Sequence, residues 1–209
     1  MKIFDDPKAP NPRRVRIFLA EKGIKMDFEH VEFMRAEHKT AKFLKKNPMA
    51  QLPVLEMDDG RYLSETVSIC RYFESLFPDP PLMGQPGDAV DIAFTDMWQR
   101  RMEFNIFAPI SACFRHLHPA MAAFQTPQIE EWGRTSAKQA RQALDWLDAE
   151  LGARSFIAGE RFTIADITAL VAVDFAKPAR IEALEGRANL SRWHEAVSAR
   201  PGVLKEAGS

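Results

Sequence analysis

The chain has 209 residues, 46% apolar and 27% charged, a globular composition that excludes disordered and fibrous classes. Its 28 basic residues against 29 acidic ones leave a formal charge of −1, so no bulk field gathers nucleic acid or an anionic membrane. The most apolar stretch, Ile167–Val173, is far short of the roughly 20 residues that cross a bilayer, and two cysteines, Cys70 and Cys113, support neither a disulfide framework nor a thiolate zinc site.

The length accommodates one large domain or two small ones. The segment Pro78–Gly87 holds four prolines and two glycines, a density no helix or strand tolerates, and reads as a linker. Residues 1–77 mix strand and helix patterns, and residues 88–209 are almost entirely helical. Asp5 and Asp6 stand where a secretory leader needs a cationic start, so a cytoplasmic location is expected.

In the first part, Lys2–Asp6 is a short apolar strand, and Asn11 followed by Pro12 predicts an N-cap and first turn for a helix from Arg13 to Lys22. Val31 and Phe33 alternate with polar neighbours as a second strand. Thr40–Lys46 predicts a short helix. Leu52–Met57 and Arg61–Ser64, joined through Asp58-Asp59-Gly60, predict a β-hairpin. Ile69, Phe73 and Leu76 then recur at helical spacing. The order is β-α-β-α-β-β-α.

In the second part, Val90, Phe94, Met97 and Trp98 predict the core face of a helix that kinks or stops near Pro109, with Trp98 and Phe104 read as core. Thr126-Pro127 predicts the start of a helix whose apolar face runs from Ile129 through Leu144 to Leu151. Thr163 and Asp166 form a capping-box pattern, flanked by Phe162 and Ile167 as a hydrophobic staple, and open an apolar helix to about Ala176. The capping role accounts for Asp166.

Three places carry candidate chemistry. Leu52-Pro53 is either an ordinary strand-entry proline or a cis bond that leaves the Leu52 backbone free to pair with an extended peptide. Ser64-Glu65-Thr66 marks a strand-to-helix passage where unpaired N–H groups suit a carboxylate and Glu65 suits an ammonium; simple capping explains the same residues. The turn Ala9-Pro10-Asn11-Pro12 contains no nucleophile, and Asn11 is either a cap or an amide donor to an anion. His38 lies in a polar loop and is expected to be exposed. His116 and His118 lack a third ligand nearby, so no metal is expected.

Taken together, these segments resemble the cytosolic glutathione transferases, with a theta-like pattern that also matches a bacterial, nu-like subgroup. The match runs through Arg14–Ile17, Glu21–Ile24, Asn47–Leu55, Leu63–Ile69 and Phe162–Asp166 in order, over essentially the whole chain. The resemblance implies an α+β thioredoxin-like domain followed by an all-α helical bundle, and a cis bond at Pro53. It implies that Leu52 pairs through its backbone with the cysteinyl part of glutathione, that Glu65 and Thr66 hold the γ-glutamyl head, and that His38 and Gln51 reach the glycine carboxylate. Ala9 falls where theta-like members carry the hydroxyl that bonds the thiolate. Asn11 matches an asparagine near the sulfur in the bacterial subgroup.

The function so implied is a transferase that activates the thiol of glutathione, bound as co-substrate without a metal. Its thiolate attacks an electrophile seated on the helical domain near Phe107, Phe114 and His116. Conjugation, peroxide reduction and disulfide reduction all start from that thiolate. A homodimer is implied; nucleic acid and membrane partners are not. The rival reading is a non-catalytic interaction or regulatory module, for which the lost hydroxyl at Ala9 would be natural. His116, reaching over from the helical domain, is a further candidate for the activating group.

Overall fold

The computed structural model describes residues 1–207 and divides into two compact units, Met1–Leu82 together with the segment from Pro201 onward, and Met83–Arg200. The boundary falls inside the proline-rich segment.

The first unit carries β1 (Lys2–Asp5), α1 (Pro10–Glu21), β2 (Phe28–His30), α2 (Ala41–Leu44), β3 (Val54–Glu56), β4 (Tyr62–Ser64) and α3 (Thr66–Leu76). The sheet order is β2-β1-β3-β4, with β1 and β2 parallel and the other pairs antiparallel. This is the expected β-α-β-α-β-β-α order of a thioredoxin-like domain. The second strand lies earlier than the Val31 and Phe33 alternation predicts: Val31 is buried beyond its end, and its N–H bonds Asp5 O at 2.7 Å. Gly60 tips the hairpin at φ 83°, a conformation glycine adopts without a side-chain clash. After β4 the chain enters α3, whose Ile69, Cys70 and Phe73 are buried.

A last helix, α9 (Pro201–Ala207), also belongs to this unit and packs on α1. Arg13 Nε meets Glu206 Oε2 at 3.1 Å. A Cβ at Gly202 would come within 2.5 Å of Glu21 Oε1, so a larger residue there would displace the Glu21 side chain.

The second unit is helical: α4 (Ala89–Arg101), a wider π-helical turn over Met102–Phe107, α5 (Ala108–Leu117), α6 (Glu130–Leu151), α7 (Ile164–Ala176) and α8 (Ala188–Ser198). The helix does not stop at Pro109. Proline removes a donor and crowds the preceding turn, and the π-helical turn immediately before it supplies an altered hydrogen-bond register. Val90, Phe94 and Phe104 are 67%, 57% and 58% exposed, so the expected core face is wrong for them, whereas Trp98 is buried and stacks on Trp146 at 5.7 Å. Shared 3.6-residue spacing cannot tell which stripe of a partly apolar helix turns inward.

The start of α6 also differs from the prediction. Its N-cap is Ile129 rather than Thr126, because His116 Nδ1 accepts the Ile129 N–H at 2.9 Å and Gln128 Nε2 donates to Arg115 O and His118 O, holding 128–129 against the end of α5. The helices α5 and α6 approach so closely at Gly133 that a Cβ there would lie 2.6 Å from Leu117 Cγ.

The apolar helix α7 is buried almost throughout, and the capping box at its head is present. Asp166 is fully buried and accepts four hydrogen bonds: Ile157 N and Trp193 Nε1 on Oδ1, Thr163 N and Thr163 Oγ1 on Oδ2. Burial pushes its carboxyl upward, while the four donors favour the ionised form.

Candidate functional site

The sheet register gathers the candidate residues of the first unit. Phe4 pairs with Val54, Val54 pairs with Ser64, and Asp5 pairs with His30. The segments just beyond these residues therefore leave the same end of the sheet: the turn into α1 with Asn11, the chain from β2 to His38, the approach to β3 with Gln51, Leu52 and Pro53, and the passage from β4 to Glu65 and Thr66. Asn11 and Thr66, distant in sequence, arrive at one edge because β1, β2 and β4 end there and the antiparallel β3 begins there.

The Leu52–Pro53 bond is cis, as the resemblance implies. The Leu52 side chain is sunk in a cluster with Phe4, Val31, Phe43 and Val54, while its backbone N–H and C=O have no partner among the described residues. An anchored side chain with a free backbone is the arrangement that an added extended peptide requires. The preceding turn is organised by buried Asn47, whose Nδ2 donates to Gln51 O at 2.9 Å and whose Oδ1 accepts from Met49 N at 3.1 Å. The exposed Gln51 amide is thus carried on a held backbone. Sequence reasoning did not assign Asn47 a role, although an asparagine before proline is a turn signal.

Glu65 stands at φ 70°, ψ 120°, a region costly for any residue with a Cβ. It makes no side-chain capping bond, and its carboxylate is exposed with no partner among the described residues. Simple capping therefore does not explain it. Thr66 is buried at the first position of α3, and the Ile69 N–H bonds Glu65 O at 3.0 Å, so the amides of Thr66, Val67 and Ser68 are the unpaired donors of that helix end.

At α1 the expected cap is displaced: Ala9 is the N-cap residue, without a side-chain bond, and Asn11 lies inside the first turn. Pro10 is pre-shaped for the first helical position, which moves the helix start back by two residues. Pro10 and Pro12 carry no N–H, and Arg13 N bonds Ala9 O, so the only backbone donor left at this helix end is that of Asn11. Asn11 Oδ1 accepts from Arg14 Nη1 at 3.1 Å, and Nδ2 has no partner among the described residues. Arg14 is only 2% exposed. Its place three residues before Ile17 and four before Phe18, on the buried stripe, was the available signal that it is not a surface cation.

His38 is not exposed as expected. It is buried in a short 3-10 turn, with its ring stacked on Phe33 at 4.3 Å, and burial together with Lys39 lowers its pKa. Asp6, also buried, ties this region to the α1 turn: Oδ1 accepts from Lys8 N at 2.9 Å and Oδ2 from Phe33 N at 3.1 Å. Its neighbour Asp5 pairs with Arg16, while burial pushes its carboxyl up. Ligand atoms of Asp6, His30 and Glu32 lie within 4.8 Å of one another and have the chemistry to hold a cation, a grouping created by the pairing of β1 with β2.

In the helical unit, the ring of buried Phe107 lies 6.4 Å from that of Phe175, and Phe114 lies 5.0 Å from the same ring. Phe114 and His116 border a cleft of about 530 Å³; Phe107 does not line it. No helix among the described residues is long and apolar enough to cross a membrane.

Residues 3–81 match the family described as glutathione S-transferase, N-terminal domain, and residues 127–196 match glutathione S-transferase, C-terminal domain. The chain is 33% identical over 208 residues to glutathione S-transferase 2 of Saccharomyces cerevisiae, covering 98% of this chain and 88% of that protein. It is 30% identical over 210 residues to glutathione S-transferase 3 of Zea mays, covering 98% and 92%. The crystal structure of a glutathione S-transferase domain-containing protein from Marinobacter aquaeolei VT8 superposes with a TM-score of 0.93 at 36% identity, covering 97% of this chain and 100% of that one.

Proposed function

Because the chain belongs to the cytosolic glutathione S-transferase family, we propose that it binds glutathione at the end of the first unit's sheet and activates its thiol for attack on an electrophile. The observation that carries this reading is Glu65, held at φ 70° with an unpartnered carboxylate: backbone strain maintained for no capping bond is the mark of a functional position. Its carboxylate takes the γ-glutamyl ammonium, and the free amides at the start of α3, with Thr66, take the adjoining carboxylate. The Leu52 backbone pairs with the cysteinyl residue. Gln51 reaches the glycine carboxylate, and His38, buried against Phe33, supports that end of the site.

Such binding leaves the thiol to the α1 turn. A thiol of pKa ~8.5 is only a few per cent ionised at neutral pH, so donors aimed at the sulfur increase the reactive fraction. Asn11 supplies both remaining donors, its Nδ2 and its backbone N–H. The thiolate then attacks the electrophile, forming a bond from sulfur to carbon and expelling the leaving group. Peroxide and disulfide reduction begin from the same thiolate and are further outcomes of the assay. A homodimer, to which the exposed Val90, Phe94 and Phe104 contribute apolar surface, and a cytoplasmic location complete the reading; sedimentation at 23.7 kDa would oppose the dimer.

The test is calorimetry with glutathione, followed by turnover of an electrophile panel with and without it. Binding with dependent turnover supports the enzyme. Ala9, which provides no hydroxyl, favours the second reading, a non-catalytic module, and binding without turnover on any electrophile, peroxide or disulfide would select it.

A further inference from the structure

Strand β2 forms the edge of the sheet, on the side of β1 away from β3, and the ends of β1 and β2 carry a polar group that the reading above does not use. Val31 turns into the core, so His30 and Glu32 on either side of it project outward together. Asp6, one residue past β1 and only 3% exposed, faces them. Its Oδ1 and the Glu32 Oε2 each lie 3.9 Å from His30 Nε2, and one ligand atom from each of the three residues falls within 4.8 Å of the others. The backbone beneath them is cross-braced. Val31 N donates to Asp5 O at 2.7 Å, Phe33 N to Asp6 Oδ2 at 3.1 Å, and Glu32 N to Glu37 Oε2 at 2.8 Å. The three side chains are thus brought together by bonds that lie outside the group itself.

Neither carboxylate meets a lysine or arginine among the described residues. The neighbouring Asp5 takes both nitrogens of Arg16, at 2.6 and 3.1 Å, and the buried Asp6 is left with two backbone donors, Lys8 N and Phe33 N. A carboxylate with two donors has acceptor positions to spare, and neither nitrogen of the His30 ring makes a hydrogen bond among the described residues. One imidazole with two carboxylates is a donor set for a zinc-type ion, whereas magnesium and calcium favour oxygen alone. Donor atoms stand about 3.4 Å apart around a tetrahedral ion with bonds of about 2.1 Å, so rotation of His30 and Glu32 by about 1 Å toward the fixed Asp6 closes the site. We propose that Asp6, His30 and Glu32 bind one divalent ion of the zinc type, which clasps the edge strand β2 to β1. That strand is three residues long and exposed at every position, so a clasp at its end has something to hold. The alternative is an imidazole shared between two acids as an ordinary ion pair, which takes up no metal.

The test is titration of Zn²⁺ into the full chain, free of any added histidine tag, in competition with a chromophoric chelator, repeated on His30→Gln and Glu32→Gln. Both variants alter outward side chains that make no hydrogen bond, so they keep the fold; Asp6, which two backbone amides need, is left in place. Saturable zinc binding is expected, weakened about tenfold or more by either substitution, with Mg²⁺ at the same concentration failing to compete. Zinc should also raise the Tm of the unaltered chain and leave that of His30→Gln unchanged, because an ion bound only by the folded state stabilises it. Equal zinc affinity in the unaltered chain and His30→Gln, or no zinc uptake by the unaltered chain, overturns the proposal. Equal competition by Mg²⁺ overturns the role of the imidazole, and zinc binding without a rise in Tm overturns the clasp. None of these readouts involves glutathione, so the site stands or falls separately from the proposed function.

Discussion

Arg14 Nη1 donates to Asn11 Oδ1 at 3.1 Å within the first turn of α1, so a buried guanidinium orients an amide at the helix end where prolines have removed the other donors. The consequence is a directed donor without a hydroxyl. A hydrogen bond to a charged acceptor contributes about 1.5–3 kcal/mol, so Asn11→Ala should raise the pKa of bound glutathione by roughly one to two units at 1.36 kcal/mol per unit. Thiolate absorbance against pH reads the change. Because Asn11→Ala also removes an acceptor from buried Arg14, the variant's Tm is measured before its titration is read. Ala9→Ser should lower the thiol pKa by adding a hydroxyl donor. Titration of Asn11→Ala like the unaltered protein, with His116→Ala shifted, would move activation to the helical unit.

Glu65 separates binding from folding. Glu65→Ala should weaken glutathione binding about tenfold or more by calorimetry, since it removes the charge that faces the ammonium. Glu65→Gly should lose the same affinity while relieving the positive φ, raising Tm by about 2–4 °C for roughly 1 kcal/mol. A glycine variant that both binds normally and melts higher would sink the assignment.

Asp166 has a structural role, and the expected phenotype is thermal. Asp166→Asn sets an amide against donors that now point at two carboxylate oxygens, which should cost about 3 kcal/mol or more and lower Tm by roughly 6–12 °C. Retained Tm with lost turnover would instead mark a reacting group.

His38 predicts a pH slope. Burial and Lys39 hold its folded pKa below the ordinary value, while the unfolded ring protonates near 6.5. The unfolded state therefore binds the extra proton first, and stability present above about pH 6.5 is lost as pH falls through that value toward the folded one. Urea unfolding between pH 5 and 7.5 should show this loss, and a flatter profile in His38→Gln. Identical slopes would remove His38 as the cause.

The order of elements, the hairpin at Asp58–Gly60 and the capping box of Thr163 and Asp166 were legible in the residues themselves, because each rests on local rules: period, turn chemistry, or a cap three residues from its partner; Leu52 and Glu65 had two local readings each, and their roles came from the resemblance. The sequence by itself therefore determined the two-part architecture and the family. What lay beyond it depended on which atoms meet across the fold. Local spacing placed the α1 cap at Asn11, yet Pro10 starts the helix earlier and Arg14 engages the Asn11 amide oxygen. Polarity placed His38 in water, yet Phe33 covers it. Helical periodicity gave Phe104 and Phe94 to the core as readily as Trp98, and only packing chose among them. The gathering of Asn11, Leu52 and Glu65 at one end of the sheet follows from strand register, a relation between distant segments that only the tertiary structure decides.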